Sequence, residues 1–222
     1  MDISVFSVTG PVMIGPSSSH TAGACRLARV AREIIISPFT HVSFGLHGSF
    51  AKTYKGHGTD RALLAGVMGY KEDDEAIARA FELAESAGFT YDFHEVELEG
   101  VHENTVLLDF TMADGRHNEI IGSSLGGGRM VITRINGFET EYTAQTPTLI
   151  IRQQDKPGVI SQVTGILAQK GINIGVMKVS RRGKGDTAFC VIETDSEIRE
   201  DVVESLTRIE DLLFVRALNI WG

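Results

Sequence analysis

Thr148-Leu149-Ile150-Ile151-Arg152-Gln153-Gln154-Asp155-Lys156-Pro157-Gly158-Val159-Ile160 opens the part of the chain whose pattern is most decisive. Thr148-Leu149-Ile150-Ile151-Arg152 has the short apolar character of a strand. Asp155-Lys156-Pro157-Gly158 is a turn: Pro157 fixes its own φ, and Gly158 leaves the backbone open to close approach. Val159, Ile160, Val163, Ile166 and Leu167 then recur at helical spacing and predict a helix over about 158–170, with Gly171 just past its end. Ile172, Ile174 and Val176 alternate as in a strand, and Arg182-Gly183-Lys184-Gly185-Asp186 is a hairpin turn. Residues 187–194 are β-rich, Val202, Val203, Leu206 and Ile209 mark a second helix, and 212–220 reads as a last strand. The order βαββαβ predicts a ferredoxin-like sandwich, one sheet with two helices on one face. That fold hosts many functions, so the order alone assigns none.

Working outward, the polar stretch Thr143-Ala144-Gln145-Thr146-Pro147-Thr148 separates this region from a differently organised one. It predicts two domains, 1–145 and 148–222. The chain has 222 residues and a formal net charge of -8. With no Lys/Arg block it lacks the clustered positive charge that nucleic-acid phosphates require. No apolar run approaches the ~18 residues of a membrane span. Met1-Asp2-Ile3-Ser4-Val5 lacks the basic and apolar regions of a signal peptide, so a cytoplasmic protein is expected. The two cysteines, Cys25 and Cys190, form no CxxC and suit a reducing compartment. Two thiolates are also too few for an ordinary iron–sulfur cluster.

Three N-terminal segments carry polar and glycine residues where a plain core would not. Gly15-Pro16-Ser17-Ser18-Ser19-His20-Thr21-Ala22-Gly23 precedes a helix whose stripe is Leu27, Val30, Ala31, Ile34 and Ile35. Hydroxyls and free N–H groups at a helix mouth make an anion cradle, and His20 is placed to bond a ligand or shuttle a proton. The same residues serve equally as a plain N-cap with a solvated histidine. A Ser–His hydrolase is disfavoured, because no third orienting residue and no GxSxG elbow is present. His47-Gly48-Ser49-Phe50-Ala51-Lys52-Thr53 follows a strand, 42–46, and leads to Gly56-His57-Gly58-Thr59-Asp60. Here the glycines admit a ligand close to His57, or form an ordinary surface loop. Asp60 is expected to cap the helix bearing Leu63, Leu64, Val67 and Met68. Gly122-Ser123-Ser124-Leu125-Gly126-Gly127-Gly128-Arg129 is expected as a loop between strands, either an anion nest or a flexible hairpin. Between the second and third segments a helix is expected over about 73–87, with Ile77, Ala80, Phe81 and Ala84 inward.

Strand, Asp155-Lys156-Pro157-Gly158-Val159, helix and Gly171-Ile172-Asn173-Ile174 together resemble the ACT domain, a regulatory module that binds amino acids. The resemblance implies self-association through paired ACT domains, with an effector between them. Gln153, Asp155, Gly158, Val159, Asn173 and Ile174 are the matching effector positions. Chemistry agrees: a helix N-terminus suits a carboxylate, and Asp155 and Asn173 suit an ammonium group. Alternatively, Asp155 caps the helix and Asn173 satisfies a strand end.

Over essentially its whole length the chain resembles the β chain of the bacterial two-subunit, iron–sulfur-dependent L-serine dehydratase. Gly15-Pro16-Ser17-Ser18-Ser19-His20-Thr21, Gly48-Ser49-Phe50-Ala51, Gly56-His57-Gly58-Thr59-Asp60 and Gly126-Gly127-Gly128 carry that resemblance. It implies an α+β chain, with an N-terminal α/β domain like the allosteric substrate-binding domain of some phosphoglycerate dehydrogenases, followed by a ferredoxin-like βαββαβ ACT domain. The implied reaction is L-serine to pyruvate and ammonia. A [4Fe-4S] cluster, ligated by the partner α chain, would act as Lewis acid on the serine hydroxyl. Pyridoxal phosphate is not implied. The role assignment places Ser17, Ser18, Ser19 and Thr21 at the substrate carboxylate. His20 and His57 are the acid/base candidates, and L-serine is also the ACT effector. The competing class is a stand-alone, non-enzymatic amino-acid sensor or regulatory dimer.

Overall fold

Leu27, Val30, Ala31 and Ile34 form one buried stripe, and the helix they predict is α1, Gly23–Ile34. In the computed structural model, which describes residues 15–35 and 37–219, this helix lies on a mixed sheet. The stretch Met1-Asp2-Ile3-Ser4-Val5 and Ile220 lie outside the described residues. By internal contacts the chain divides into two units, Met1–Asn136 and Gly137–Gly222.

In the first unit the strands are β1 (Phe39–Leu46), β2 (Thr90–Glu95), β3 (Thr105–Met112), β4 (His117–Gly126) and β5 (Arg129–Ile135). They run in the order β2-β1-β3-β4-β5. Only the β1–β2 pair among these neighbours is parallel, as a long helical crossover between them requires. That crossover contains α2 (Gly48–His57), α3 (Thr59–Val67), a 3₁₀ turn over Glu75–Arg79 and α4 (Ala80–Ser86). Alternation sorts the two sheet faces. Val42, Phe44 and Leu46 of β1 and Val106, Leu108 and Phe110 of β3 are buried on one face. His41 and Ser43 share the other with Thr90, Asp92 and His94 of β2, joined by hydrogen bonds. Removing a core side chain such as Leu27, fully buried on the inner face of α1, costs about 2–5 kcal/mol.

Four local expectations differ from the structure. Residues 48–57 form α2 rather than a loop. The segment 122–126 continues β4, leaving only Gly127 and Gly128 as the turn to β5. The expected helix over 73–87 is split, because Arg79 leaves helical geometry at φ -111°, ψ 17°. Asp60 does not cap α3: Gly58 does, in left-handed conformation, while the Asp60 carboxylate accepts from the Arg61 N–H.

In the second unit β7 (Thr148–Gln154), α5 (Val159–Gln169), β8 (Ile174–Arg181), β9 (Thr187–Thr194), α6 (Glu200–Thr207) and β10 (Leu212–Leu218) follow the βαββαβ order. The antiparallel sheet runs β10-β7-β9-β8. Leu149, Ile151, Cys190 and Ile192 of its inner face pack against Val163 and Leu167 of α5 and Val202 and Leu206 of α6. The unit also takes in β6 (Phe138–Tyr142), ahead of the polar stretch 143–148. Phe138 stacks on Phe189 with ring centroids 5.6 Å apart, and the Arg182 guanidinium lies 4.8 Å over Phe138. The Ser180 hydroxyl donates to the Glu139 carbonyl.

Candidate active site

Ser17 has extended backbone and its Oγ accepts the His20 N–H at 3.1 Å. It therefore caps the chain entering α1, as expected for serine. Residues Ser18–Ala22 then form a π-helical turn before α1 begins. A π turn rotates side chains away from a regular helical face and is frequent at functional sites. Here it turns His20 inward, to 9% exposure.

Hydroxyls bracket the His20 ring. Nδ1 lies 3.0 Å from Ser19 Oγ and 3.4 Å from Ser17 Oγ, and Nε2 lies 3.0 Å from Ser49 Oγ. The His57 ring stands edge-on to it, centroids 4.7 Å apart, and Phe50 packs at 5.3 Å. Burial first and the His57 ring second hold His20 below the ordinary histidine value, so the neutral ring is favoured. Thr21, only 2% exposed, donates its hydroxyl to the His57 carbonyl at 3.0 Å. It ties the two histidine segments together and spends its hydroxyl on that tie. Ser18 Oγ accepts from the Gly127 N–H at 3.4 Å, which brings the third segment to the first. The three motifs therefore converge, although they lie far apart in sequence.

Ser49 and Asn104 have no role in the sequence reading, and Ser124 has one only as part of the Gly122–Arg129 anion-nest candidate. Asn104 and Ser124 lie opposite each other where β3 begins and β4 nears its end, and the Ser124 N–H donates to the Asn104 carbonyl. Ser124 Oγ is fully buried against Gly23, where a Cβ would collide with it. Four buried polar atoms here have no hydrogen-bond partner among the described residues: His57 Nδ1, Thr59 Oγ1, Asn104 Oδ1 and Ser124 Oγ. Each such atom costs about 1–3 kcal/mol unless something bonds it. Ser49 has a sequence signal in its place directly after Gly48 at the end of a strand, and Ser124 in its glycine-rich segment, while Asn104 has none.

In the second unit the expected effector positions fall in two places. Gln153, Asp155, Gly158 and Val159 lie at the β7–α5 turn, whereas Asn173 and Ile174 lie at the opposite end of the sheet, where β8 begins beside Thr194, because β8 runs parallel to β7 across β9. Gly158 caps α5 with φ 90°, and no side chain caps the helix. Asp155 accepts instead from Arg181 Nη1 at 2.9 Å and the Gly185 N–H at 3.1 Å in the β8–β9 hairpin. Those bonds, the Gly185 N–H first, hold its carboxyl below the usual range. Capping is thus not the role of Asp155. Asn173 Nδ2 donates to Asp195 Oδ2 at 2.6 Å, and Ile174 begins β8 half-buried. Val159 is buried at the start of α5. Gln153 is 2% exposed, yet its Oε1 has no hydrogen-bond partner among the described residues.

Residues 4–134 match the family model of the serine dehydratase beta chain, more than half of the whole. The chain belongs to the serine dehydratase beta chain family. Residues 147–211 match the ACT domain model. The L-serine dehydratase, beta chain, of Peptoniphilus asaccharolyticus is 40% identical over 210 residues, covering 94% of this chain and 95% of its own. The probable L-serine dehydratase, beta chain, of Bacillus subtilis (strain 168) is 40% identical over 212 residues, 96% of both chains. A D-3-phosphoglycerate dehydrogenase of the same strain is 24% identical over 198 residues, 89% of this chain but 37% of that protein. Among solved structures, the ACT domain from GTP pyrophosphokinase of Chlorobium tepidum aligns with a TM-score of 0.28 at 19% identity, over 32% of this chain and 95% of that one. The family's two halves thus coincide with the mixed-sheet unit and the ferredoxin-like unit, and the ACT assignment made from the Asp155–Val159 turn stands.

Proposed function

We propose that this chain is the β subunit of a two-chain L-serine dehydratase that converts L-serine to pyruvate and ammonia. The observation that carries this reading is the convergence of the Ser17–Ser19 segment, His20, His57 and the Gly127 turn, in a chain similar end to end to dehydratase beta chains. A neutral imidazole accepts a proton, and its edge-on neighbour gives a second site for one. Burial and the facing His57 ring disfavour the charged form of His20, so its neutral ring is the proton-accepting state. The hydroxyls of Ser17, Ser18 and Ser19, half-exposed at the entry to α1, would hold the substrate carboxylate. His57 Nδ1 would serve as second acid or base or as an anchor for substrate.

A [4Fe-4S] cluster does not fit this chain's own residues. Among the described residues no group of three His, Cys, Asp or Glu side chains is disposed to hold a metal. Burial pushes the thiols of Cys25 and Cys190 up to about 12, far from the thiolate a cluster needs. In this reading the cluster belongs to a separate α chain, and no step is assigned to it here. No described helix is long and apolar enough to cross a membrane.

The ACT unit would bind L-serine and pair with a second copy. β8 is an edge strand, and Val176, Met177 and Val179 on it are exposed apolar residues, which an edge normally avoids. Anaerobic assay of pyruvate from L-serine, with and without the α chain, tests the main reading. Activity only with both chains supports it, and a His20→Ala complex with unchanged kcat removes the catalytic role of His20. For the regulatory part, titrating the full chain with L-serine should give heat and a larger hydrodynamic size. If neither change occurs, L-serine is not the effector of the β7–α5 turn around Asp155 and Gly158.

A further inference from the structure

We propose that Ser49 is a positioning residue for His20: its hydroxyl, fixed at the start of α2, holds Nε2 so that the ring keeps one orientation beside His57. The proposal rests on the reading of His20 as an acid/base and adds to it the group that orients the ring.

The geometry begins in the backbone. The Ser49 N–H donates to the Glu103 carbonyl at 2.8 Å, and the Ser49 carbonyl accepts from Thr53 Oγ1 at 2.7 Å. Gly48 turns the chain at φ 57°, and a Cβ there would stand 2.7 Å from the Glu103 carbonyl. The first residues of α2 are therefore clamped to the segment entering β3. Nothing in this clamp uses the Ser49 hydroxyl, which is left to meet His20 Nε2 at 3.0 Å.

His20 in turn cannot be oriented from its other side alone. Ser17 and Ser19 both approach Nδ1, and their hydroxyls also lie 3.3 Å from each other. Both sit on the same turn as His20 and reach only this one ring nitrogen, which leaves the far end of the ring unheld. Ser49 is the partner at Nε2, carried on a different element, and so closes the second end of the ring. The Phe50 ring offers no hydrogen-bond partner, and the titratable side chain facing His20 is His57. A ring held at both nitrogens keeps its near-perpendicular arrangement with His57. A ring held at one turns about a single bond.

The test uses the full chain labelled with ¹⁵N at histidine, with the His20 signals identified by their loss in His20→Gln. Wild type should show two well-separated ring-nitrogen shifts, one tautomer dominating. In Ser49→Ala the two shifts should move toward their average, and Ser49→Thr, which keeps the hydroxyl, should restore the separation. Ser49→Cys keeps the volume but bonds weakly, so it should follow Ser49→Ala if that variant does not fold. In the two-chain complex, kcat should fall about tenfold for Ser49→Ala, the worth of one hydrogen bond, with KM within about twofold. Ring shifts unchanged by Ser49→Ala and Ser49→Cys overturn the proposal. So does Ser49→Thr behaving as Ser49→Ala, since the site would then respond to shape and not to the hydroxyl. If the complex has no serine dehydratase activity, the function proposed above fails while the nitrogen shifts still decide this one.

Discussion

His20 illustrates how burial and a neighbour set the state of one side chain. Its proton is released more readily than the ordinary value of 6.5 implies, because the charged ring is poorly solvated and faces His57. The sign for stability follows. The unfolded chain protonates His20 near 6.5 while the folded chain resists, so this contribution is complete above that pH and declines as pH falls through it. Proton-detected titration of the folded chain should place the His20 midpoint below 6.5, and His57→Gln should raise it. A midpoint unmoved by that substitution would dismiss the repulsion between the rings. Gly48 is the second residue with a specific demand. Its left-handed backbone and the Glu103 carbonyl leave no room for a side chain, so Gly48→Ala should cost about 1–3 kcal/mol in urea unfolding.

At the scale of elements, sequence and structure agree where periodicity is strong. The α1 stripe and the α5 pattern each name one buried face, and both helices form over nearly the expected residues. Helix α2 was not legible, because only Phe50 in it is buried and its sequence shows no apolar period. What places it is distant: the clamp from Glu103, which no local pattern announces. The meeting of Ser18 with Gly127 and of Ser49 with His20 is likewise tertiary. The Ser-Ser-Ser-His run therefore marked the site, while its partners needed the fold. The polar face shared by β1 and β2 carries its own prediction. Burial works against ionised Asp92, but bonds from Ser43, His94 and His41 outweigh it and hold the carboxyl below its usual range. Stability from this group is present above the unfolded carboxylate value of about 3.9 and is lost as pH falls through the lower folded value. Asp92→Asn should therefore flatten the decline of the urea midpoint between about pH 5 and pH 2. An unchanged acid slope would show that the β1–β2 polar face does not depend on this charge.

The whole molecule joins a mixed-sheet unit, where the dehydratase motifs meet, to a ferredoxin-like unit with the ACT loop. Each unit encloses one cysteine, Cys25 on the buried face of α1 and Cys190 on the inner face of β9, and neither side chain is exposed at all. A thiol sealed in this way reacts with an alkylating reagent only when its own unit opens. The pair is thus a built-in clock for domain-by-domain unfolding. In rising urea, peptide mapping of alkylated chain should show Cys25 and Cys190 becoming labelled at separate midpoints if the units melt independently, and at one midpoint if they melt together. Binding of an amino acid to the ACT loop should delay labelling of Cys190, which turns a silent core residue into a reporter of occupancy.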